Sequence, residues 1–355
     1  MTGAAEAGDS IQRDNIQIAV PFRDIVGHRR LLDLLARSAC RGTLPQSLIF
    51  AGPDGVGKRA VALATAQALN CGSPNTPEVE GSSGVDACGV CPTCKRIARG
   101  THPDVLLVEP GDSGSIRIEQ VRDVVDRVGY RPFEGRRRVV IIDDADALVV
   151  AAQNALLKTL EEPPASSVFI LVTPRADVLL PTVRSRCPRL RFQPLTADEI
   201  SAVLIRLGWS AGEAAAVSTI ADGSVGRALE ATARDGVEAR DRALRLLGVA
   251  ATADLGRRLD AAKESLAQSA GAGDRDQLAV ALRAMASLLR DVALLATGAD
   301  GRTLVNKDIR PALERLTVYG GERGIRAFST IDRALAALDR NAGVKIVADW
   351  VALQL

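Results

Sequence analysis

The amino-acid sequence predicts an α/β domain built on a parallel five-stranded sheet, followed by domains made only of helices. Between positions 22 and 193 of the 355-residue chain, short β-rich runs alternate with helical stretches, which is the pattern of βαβ units. A glycine-rich loop ending in Lys58 separates the first run from its helix. After Pro194 the β-rich runs stop and the pattern becomes helical. The predicted strands are Ser47–Ala51, Val105–Val108, Arg138–Asp143, Val168–Thr173 and Arg189–Phe192.

The composition is that of an ordinary globular protein. Hydrophobic residues make up 47% and charged residues 25%, and a net charge of +2 excludes nucleic-acid binding through bulk charge. Aromatic residues are only 3%, so few rings are available to stack on nucleic-acid bases. The chain has two histidines, His28 and His102, which are too few for a histidine-rich metal site and disfavour a histidine-based triad. No run approaches the roughly 18 apolar residues that cross a bilayer, and no secretory signal opens the chain, so a cytoplasmic location is expected.

Changes of pattern along the chain predict its domains. We expect an N-terminal extension at 1–21, the α/β domain at 22–193, a small helical domain at 194–235 and a larger helical domain at 236–355. The small domain is expected to consist of short helices that break at Gly208, at Gly212 and at 222–224.

The loop from Gly52 to Lys58 has the form of a phosphate-binding P-loop between a strand and a helix. Gly52, Gly55 and Gly57 allow backbone N–H groups to close around phosphate oxygens, and Lys58 would reach the β- and γ-phosphates. The next residue of such a loop is normally Ser or Thr, whose hydroxyl ligates Mg²⁺, but here it is Arg59. Because a guanidinium cannot ligate a cation, we expect ordinary Mg-ATP hydrolysis to be impaired.

A second element of the site follows the third predicted strand. Asp143 at the end of that strand would hold Mg²⁺ through water. Asp144 stands where such ATPases usually have a Glu that polarises the attacking water, and its side chain is one methylene shorter. The alternative interpretation is that these acids only cap a turn between strand and helix.

Four cysteines predict a metal site in the loop at 71–94. Their spacing suits tetrahedral zinc, and a closed four-sulfur site leaves no position for a catalytic water, so the zinc would be structural. An iron–sulfur cluster or free surface thiols are the alternatives, and Cys40 and Cys187 stand apart. The expected ligands are Cys71, Cys88, Cys91 and Cys94.

Several runs resemble bacterial clamp-loader subunits of the AAA+ class, with the likeness covering most of 22–229. That resemblance implies an AAA+ P-loop domain with a zinc-binding insertion, a helical lid domain and a helical collar domain for oligomerisation. It also implies a hetero-pentamer with gamma or tau ATPase subunits and a delta subunit, which places a ring-shaped sliding clamp on primer-template DNA. The runs are Phe22–His28, the cysteine insertion, His102–Asp104, Asn154–Pro164, Ser185–Cys187 and, more weakly, Asn341–Leu355.

Departures from the family pattern indicate a particular kind of subunit. The ATPase subunits carry Thr, Glu and Arg at the positions of Arg59, Asp144 and Gly226. The substitutions resemble the family's stator, which binds nucleotide weakly or not at all. ATP or ADP is therefore expected to be weakly bound or absent at this chain's own site, with little or no ATPase activity from the chain alone. The collar pattern reaches the end of the sequence, so the long tail that some ATPase subunits carry is not expected.

The resemblance further assigns a catalytic role to Arg186. In the family the arginine of the Ser185–Cys187 run is a trans-acting arginine finger that reaches the nucleotide of a neighbouring subunit. Arg184 and Arg189 are expected to keep its surroundings basic. Thr173 corresponds to a position that senses the γ-phosphate, although it could equally serve only to cap its strand.

Two other functions remain open from the sequence. The chain could be a working clamp-loader ATPase in which Lys58 and Asp143 suffice and water replaces the missing hydroxyl. It could instead be a zinc-stabilised nucleic-acid-binding regulator that uses Arg136–Arg138 and the turn at Ser185–Arg189, although the near-zero net charge disfavours this.

Overall fold

The computed structural model describes residues 20–75, 84–111, 113–230, 233–252, 256–258, 260, 274–298, 304–306, 309–339 and 342–355. Most of the predicted N-terminal extension, part of the cysteine loop and the start of the collar-like run at Asn341 therefore lie outside the described residues. The chain divides into two compact units, one ending at Pro194 and the other beginning at Leu195.

The first unit contains the predicted parallel sheet of five strands, in the order β2-β3-β4-β1-β5, which confirms that part of the fold prediction. Three strands differ from the predicted bounds by one residue at one end, which is the usual uncertainty of strand ends. The strands are β1 (Ser47–Ala51), β2 (Val105–Val108), β3 (Arg138–Ile142), β4 (Ser167–Thr173) and β5 (Arg189–Arg191).

The central strands of this sheet are buried on both sides, which shows that helices cover both of its faces. Alternate residues of a strand point to opposite faces. Phe50 and Ile141 accordingly join one apolar cluster, and Ile49 and Ile142 join another. The helices of this unit are α1 (Arg29–Arg41), α2 (Lys58–Asn70), α3 (Pro92–Ala98), α4 (Ile118–Val128), α5 (Val150–Glu161) and α6 (Pro181–Arg184).

A buried ion pair supports the loop that leads into β3. The carboxylate of Asp104 lies 2.9 Å from the Arg138 guanidinium and accepts backbone N–H groups of Phe133, Glu134 and Gly135 at 2.7–2.9 Å. Burial alone would raise the pKa of Asp104, but these hydrogen bonds lower it to about 2. The ion pair therefore fixes the backbone of a loop whose Phe133 side chain is exposed.

The secondary structure of the second unit, over its described residues, consists of helices without strands. A small apolar cluster joins its first three helices, and a larger cluster lies mainly among the later ones. Gly212 does not break a helix as predicted. It lies in the first turn of one, where Ser210 and Glu213 form a capping box that offsets the low helix propensity of glycine. The helices are α7 (Ala197–Arg206), α8 (Ala211–Ile220), α9 (Val225–Glu230), α10 (Ala233–Thr252), α11 (Asp274–Ala296), α12 (Arg310–Leu313), α13 (Glu322–Asp339) and α14 (Val344–Gln354). Among the described residues no helix is both long and apolar enough to cross a membrane.

Candidate functional site

The P-loop has the strand–loop–helix geometry that its sequence predicts. It leaves β1 at Gly52, where a Cβ atom would clash with the backbone carbonyl of Phe192, so only glycine fits. It enters α2 through Gly57, whose φ of 98° also favours glycine. The chain is therefore shaped to direct the N-terminus of α2 toward the carboxyl edge of the sheet.

Lys58 is folded back onto this loop. Its Nζ atom donates to the carbonyl oxygens of Gly52 at 2.8 Å and Pro53 at 2.7 Å, and it lies 3.7 Å from the Asp54 carboxylate. The side chain is 6% exposed. Burial lowers the pKa of Lys58, while Asp54 opposes that shift. To reach a phosphate, the ammonium group would have to exchange these acceptors.

Arg59 pairs with the acidic side chains at the site where an ATPase would hold Mg²⁺. Its Nη1 atom lies 3.1 Å from Oδ2 of Asp143 and also forms an ion pair with Glu109. Burial raises the pKa of Asp143, and the adjacent Arg59 charge opposes that shift. The guanidinium thus supplies the positive charge that Mg²⁺ would otherwise bring, and a cation held by Asp143 would have to displace it.

Asp144 lies beside this pair in a left-handed conformation with φ of 48°. It precedes the short helix Ala145–Ala147, and its side chain makes no capping hydrogen bond to that helix. Burial raises the pKa of Asp144, and the neighbouring Asp143 and Asp146 raise it further. Its own backbone N–H donates to Oδ1 of Asp143 at 3.2 Å.

Thr173 is engaged within the chain at the end of β4. Its hydroxyl donates to Oδ1 of Asp146 at 3.0 Å and accepts the backbone N–H of Arg175 at 3.0 Å. The Arg175 guanidinium contacts the other oxygen of the same carboxylate. These contacts are those of a strand-end cap, which was one of the two roles that the sequence left open.

The four predicted cysteine ligands converge. All four Sγ atoms lie within 4.8 Å of one another, although Cys71 precedes the nearest of the others, Cys88, by 17 residues. The Cys71–Cys91 and Cys88–Cys94 sulfur pairs are 3.9 and 4.0 Å apart. Zn–S bonds of about 2.3 Å would place the sulfurs of a tetrahedron about 3.8 Å apart. The donor set and its spacing therefore fit a zinc ion.

Local structure orients these sulfurs. The Cys91 side chain caps α3 by accepting the backbone N–H of Cys94 at 3.5 Å, and Pro92 occupies the first helical position. The N–H groups of Cys88 and Cys91 point to the sulfurs of Cys71 and Cys88 at 3.3 Å. Burial would raise the pKa of Cys91, but hydrogen bonds lower it to about 6, whereas burial raises the pKa of Cys94. N–H groups pointed at sulfur stabilise the thiolate form that a metal binds.

Arg186 lies on the turn that follows α6, with its side chain about a third exposed at 33%. Its Nη2 atom lies 2.5 Å from the Glu161 carboxylate, and its Nη1 atom donates to the Thr182 carbonyl at 2.8 Å. The next residue, Cys187, is buried in the core and anchors the turn. The buried Cys187 thus anchors the backbone next to Arg186, and the guanidinium binds acceptors of its own chain.

The surroundings of Arg186 are less basic than expected. Arg184 and Arg189 lie 3.3 and 3.7 Å from the same Asp177 carboxylate, so part of their charge is neutralised within the chain. The Arg138 guanidinium is likewise bound by Asp104. These pairings weaken the alternative of a nucleic-acid-binding regulator, because paired arginines have less charge to offer to phosphates.

Three acidic residues of these sites were missed by reasoning from the sequence: Glu109, Asp146 and Glu161. Glu109 directly follows β2, whose carboxyl end lies beside that of β3 in a parallel sheet. Its position after a predicted strand could therefore have indicated it. No sequence signal identified Asp146 or Glu161 as partners of Thr173 and Arg186.

The chain is similar in sequence to subunits of DNA polymerase III. A family model described as "DNA polymerase III, delta subunit" matches residues 27–196. The chain is 43% identical over 137 residues to DNA polymerase III subunit delta' of Pseudomonas aeruginosa, which is 38% of this chain and 39% of that protein. It is 34% identical over 228 residues to subunit tau of Escherichia coli, which is 63% of this chain and 33% of that protein. The chain thus spans less than half the length of these relatives.

Proposed function

Because the chain belongs to the clamp-loader family of AAA+ proteins, we propose that it is a delta-prime-like subunit of the DNA polymerase III clamp loader and serves DNA replication. In this role it acts as a stator, which helps to place the sliding clamp on primed DNA and does not hydrolyse ATP itself. The observation that carries the proposal is the ion pairing of Arg59 with Asp143 and Glu109 in the pocket where an ATPase would hold Mg²⁺.

The pocket's own side chains support weak nucleotide binding or none. Arg59 has no oxygen with which to ligate Mg²⁺, and it neutralises the carboxylate of Asp143. Lys58 is already satisfied by loop carbonyls. Asp144, one methylene shorter than Glu, brings a carboxylate whose pKa is raised by burial. The residues present therefore do not fit Mg-ATP, and no catalytic step is assigned to this pocket.

Arg186 is the residue through which such a subunit contributes to catalysis. A guanidinium on a rigid, partly exposed turn can reach the nucleotide of a neighbouring subunit and stabilise charge that develops on its γ-phosphate. The short helix α6 precedes the turn and the buried Cys187 follows Arg186, and both stabilise the turn. The neighbour in this proposal is a gamma or tau ATPase subunit.

The remaining parts of the chain take supporting roles in the proposal. The four cysteines hold a structural zinc that stabilises the segment between α2 and α3. The helices α7 to α9 form the lid, and those from α10 onward form the collar that joins the subunits. The complete assembly contains ATPase subunits, a delta subunit and this chain, and acts at the replication fork in the cytoplasm.

The decisive experiment is co-purification of the full chain with the clamp-loader ATPase and delta subunits of the same organism. We expect a defined hetero-pentamer, and no turnover of saturating Mg-ATP by the isolated chain. Failure to enter the complex would contradict the proposed function. Assembly accompanied by robust turnover in the isolated chain would contradict the stator role alone.

A second candidate is a catalytically active clamp-loader ATPase of the gamma or tau type. The identity to tau over 63% of the chain and the intact Gly57-Lys58 pair favour it. Water would then have to replace the Ser or Thr hydroxyl as a Mg²⁺ ligand, and Arg59 would have to leave Asp143. Mg²⁺-dependent nucleotide binding and turnover by the isolated chain would favour this candidate over the stator.

A further inference from the structure

Arg186 and Glu161 form an ion pair within one chain, and this pair bears on how the arginine acts. Glu161 is the last residue of α5, and its Oε1 atom lies 2.5 Å from Nη2 of Arg186. The other terminal nitrogen of the guanidinium donates to the Thr182 carbonyl at 2.8 Å and to the Ser185 hydroxyl at 3.3 Å. Both ends of the fork therefore have acceptors on this chain.

A phosphate on a neighbouring subunit would compete for the same donors. Carboxylates and phosphates both bind the planar guanidinium fork through charge-assisted hydrogen bonds. Nη2 cannot keep its contact with Glu161 and present the full fork to a phosphate. The carboxylate would also repel a polyphosphate that approaches the arginine.

The pairing is specific to one carboxylate. Asp177 neutralises Arg184 and Arg189 on the same turn, and Glu161 contacts Arg186. The next residue, Glu162, is exposed and has no ion partner within 4.0 Å in the described part of the chain. The turn therefore has separate counterions for the finger and for its flanking arginines.

The pair is also weak enough to exchange. The Glu161 side chain is 48% exposed, and that of Arg186 is 33% exposed. Ion pairs at such exposure shift an equilibrium by less than about fivefold, and salt weakens them further. A nucleotide polyphosphate carries several negative charges and would displace a single carboxylate.

We propose that Glu161 is a positioning residue that holds Arg186 on its own chain until the polyphosphate of a nucleotide on the neighbouring subunit displaces it. The proposal rests on the trans-acting role of Arg186 in the proposed function. It adds a resting state for the finger, in which Glu161 limits engagement while the neighbouring site is empty.

The test is Glu161→Gln in the reconstituted clamp-loader complex, compared with Glu162→Gln as the matched control. Glutamine keeps the size of the side chain and removes its charge. We expect the KM for Mg-ATP of the hydrolysis that depends on Arg186 to fall about two- to fivefold at low salt, with kcat unchanged. The difference from wild type should shrink as salt rises, and the control should behave as wild type.

A double-mutant cycle separates positioning from a general structural effect. In the Arg186→Ala background, Glu161→Gln should leave the remaining hydrolysis unchanged. The proposal is overturned if Glu161→Gln matches Glu162→Gln, if it raises KM, or if its effect persists without Arg186. If Arg186→Ala complexes hydrolyse ATP and load clamps at the wild-type rate, the trans-acting role in the proposed function fails instead.

Discussion

Two clusters of anionic side chains in the first unit differ in where their positive charge comes from. The sulfurs of Cys71, Cys88, Cys91 and Cys94 converge, and backbone N–H groups donate to three of them. The carboxylates of Glu109 and Asp143 also converge, but Arg59 lies between them. The thiol cluster therefore needs a cation from outside, whereas the carboxylate pair has its own.

This difference bears on function because a site with a built-in cation has little need of a metal. A guanidinium is permanently charged and cannot ligate phosphate-bound Mg²⁺, so Arg59 makes the pocket self-sufficient. The same type of side chain has the opposite use at Arg186, whose counterion is a half-exposed carboxylate that another anion can displace. The two arginines are about equally exposed, and what distinguishes the sites is the second counterion of Arg59, the largely buried Asp143.

Removal of a thiol from the cluster should have the largest effect. We expect Cys91→Ser to lose its zinc, because three sulfurs leave an open position and structural zinc binding is worth on the order of 10 kcal/mol. Metal analysis after dialysis should find about one zinc in the wild-type chain and much less in the variant. Cys40→Ser, which removes a cysteine outside the cluster, is the control. Undiminished zinc in Cys91→Ser would refute the four-cysteine site.

Substitution of Arg186 should give the next largest effect, because it removes the one guanidinium assigned to another chain's anion. An arginine finger is worth about 10³–10⁵ in rate at the site it serves. In a ring with several active sites, we expect Arg186→Ala to cause a partial loss of clamp- and DNA-stimulated hydrolysis and a larger loss of clamp loading. Arg186→Lys should not restore activity, because an ammonium lacks the planar fork.

Assembly of the Arg186→Ala complex and the activity of a control variant test the Arg186 prediction. The Arg186→Ala complex should still assemble, since substitutions at partly exposed turns usually change stability by less than about 0.5 kcal/mol. Arg184→Ala, which removes a flanking arginine paired with Asp177, is the matched control and should retain most activity. Equal losses in the two variants would indicate a general effect of the basic turn.

The Asp104–Arg138 pair also supplies its own cation, and both of its side chains are buried. Asp104→Asn leaves Arg138 buried without its counterion, and we expect a loss of about 3–5 kcal/mol in the free energy of unfolding. Urea unfolding at about pH 7 measures it, and Asp123→Asn on the exposed side of α4 should change stability by less than about 0.5 kcal/mol. A variant as stable as wild type would show that the pair contributes nothing net.

The same pair predicts a dependence of stability on pH. The pKa of Asp104 is about 2 in the folded chain, below its ordinary value. A lowered folded-state pKa stabilises the fold above the unfolded-state pKa of about 4, and that stabilisation is lost as the pH falls toward about 2. Wild type should therefore lose more stability than Asp104→Asn between about pH 5 and pH 2. Parallel pH profiles would contradict this prediction.

Replacement of the built-in cation should give the smallest effect. Arg59→Thr restores a hydroxyl that can ligate Mg²⁺ and leaves Asp143 without its guanidinium partner. We expect Mg-ATP to bind at least about tenfold more tightly than to wild type, which is about 1.4 kcal/mol. EDTA should abolish the gain, and adding Lys58→Ala should remove it as well. A Kd equal to that of wild type would show that Arg59 is not what excludes the metal.

The sequence by itself determined the strand–helix alternation, the P-loop and the cysteine spacing, because each is a local pattern read along a short stretch. A five-stranded parallel sheet could be inferred, and the structure confirms it. The convergence of the four cysteines also followed from residue type and spacing, because zinc ligation requires few and specific side chains. Gly212 shows the limit of such local rules, since the Ser210–Glu213 capping box outweighs its helix-breaking tendency.

Only the tertiary structure decided which charged groups meet. Arg59 contacts Glu109 and Asp143, which come from two other strand ends, and Arg186 contacts Glu161 at the end of a different helix. Such pairs join residues far apart in sequence, and the strand order and the packing of helices on the sheet bring them together. Charge in a sequence shows which groups are available, but their distance, burial and competition for donors arise only when the chain has folded.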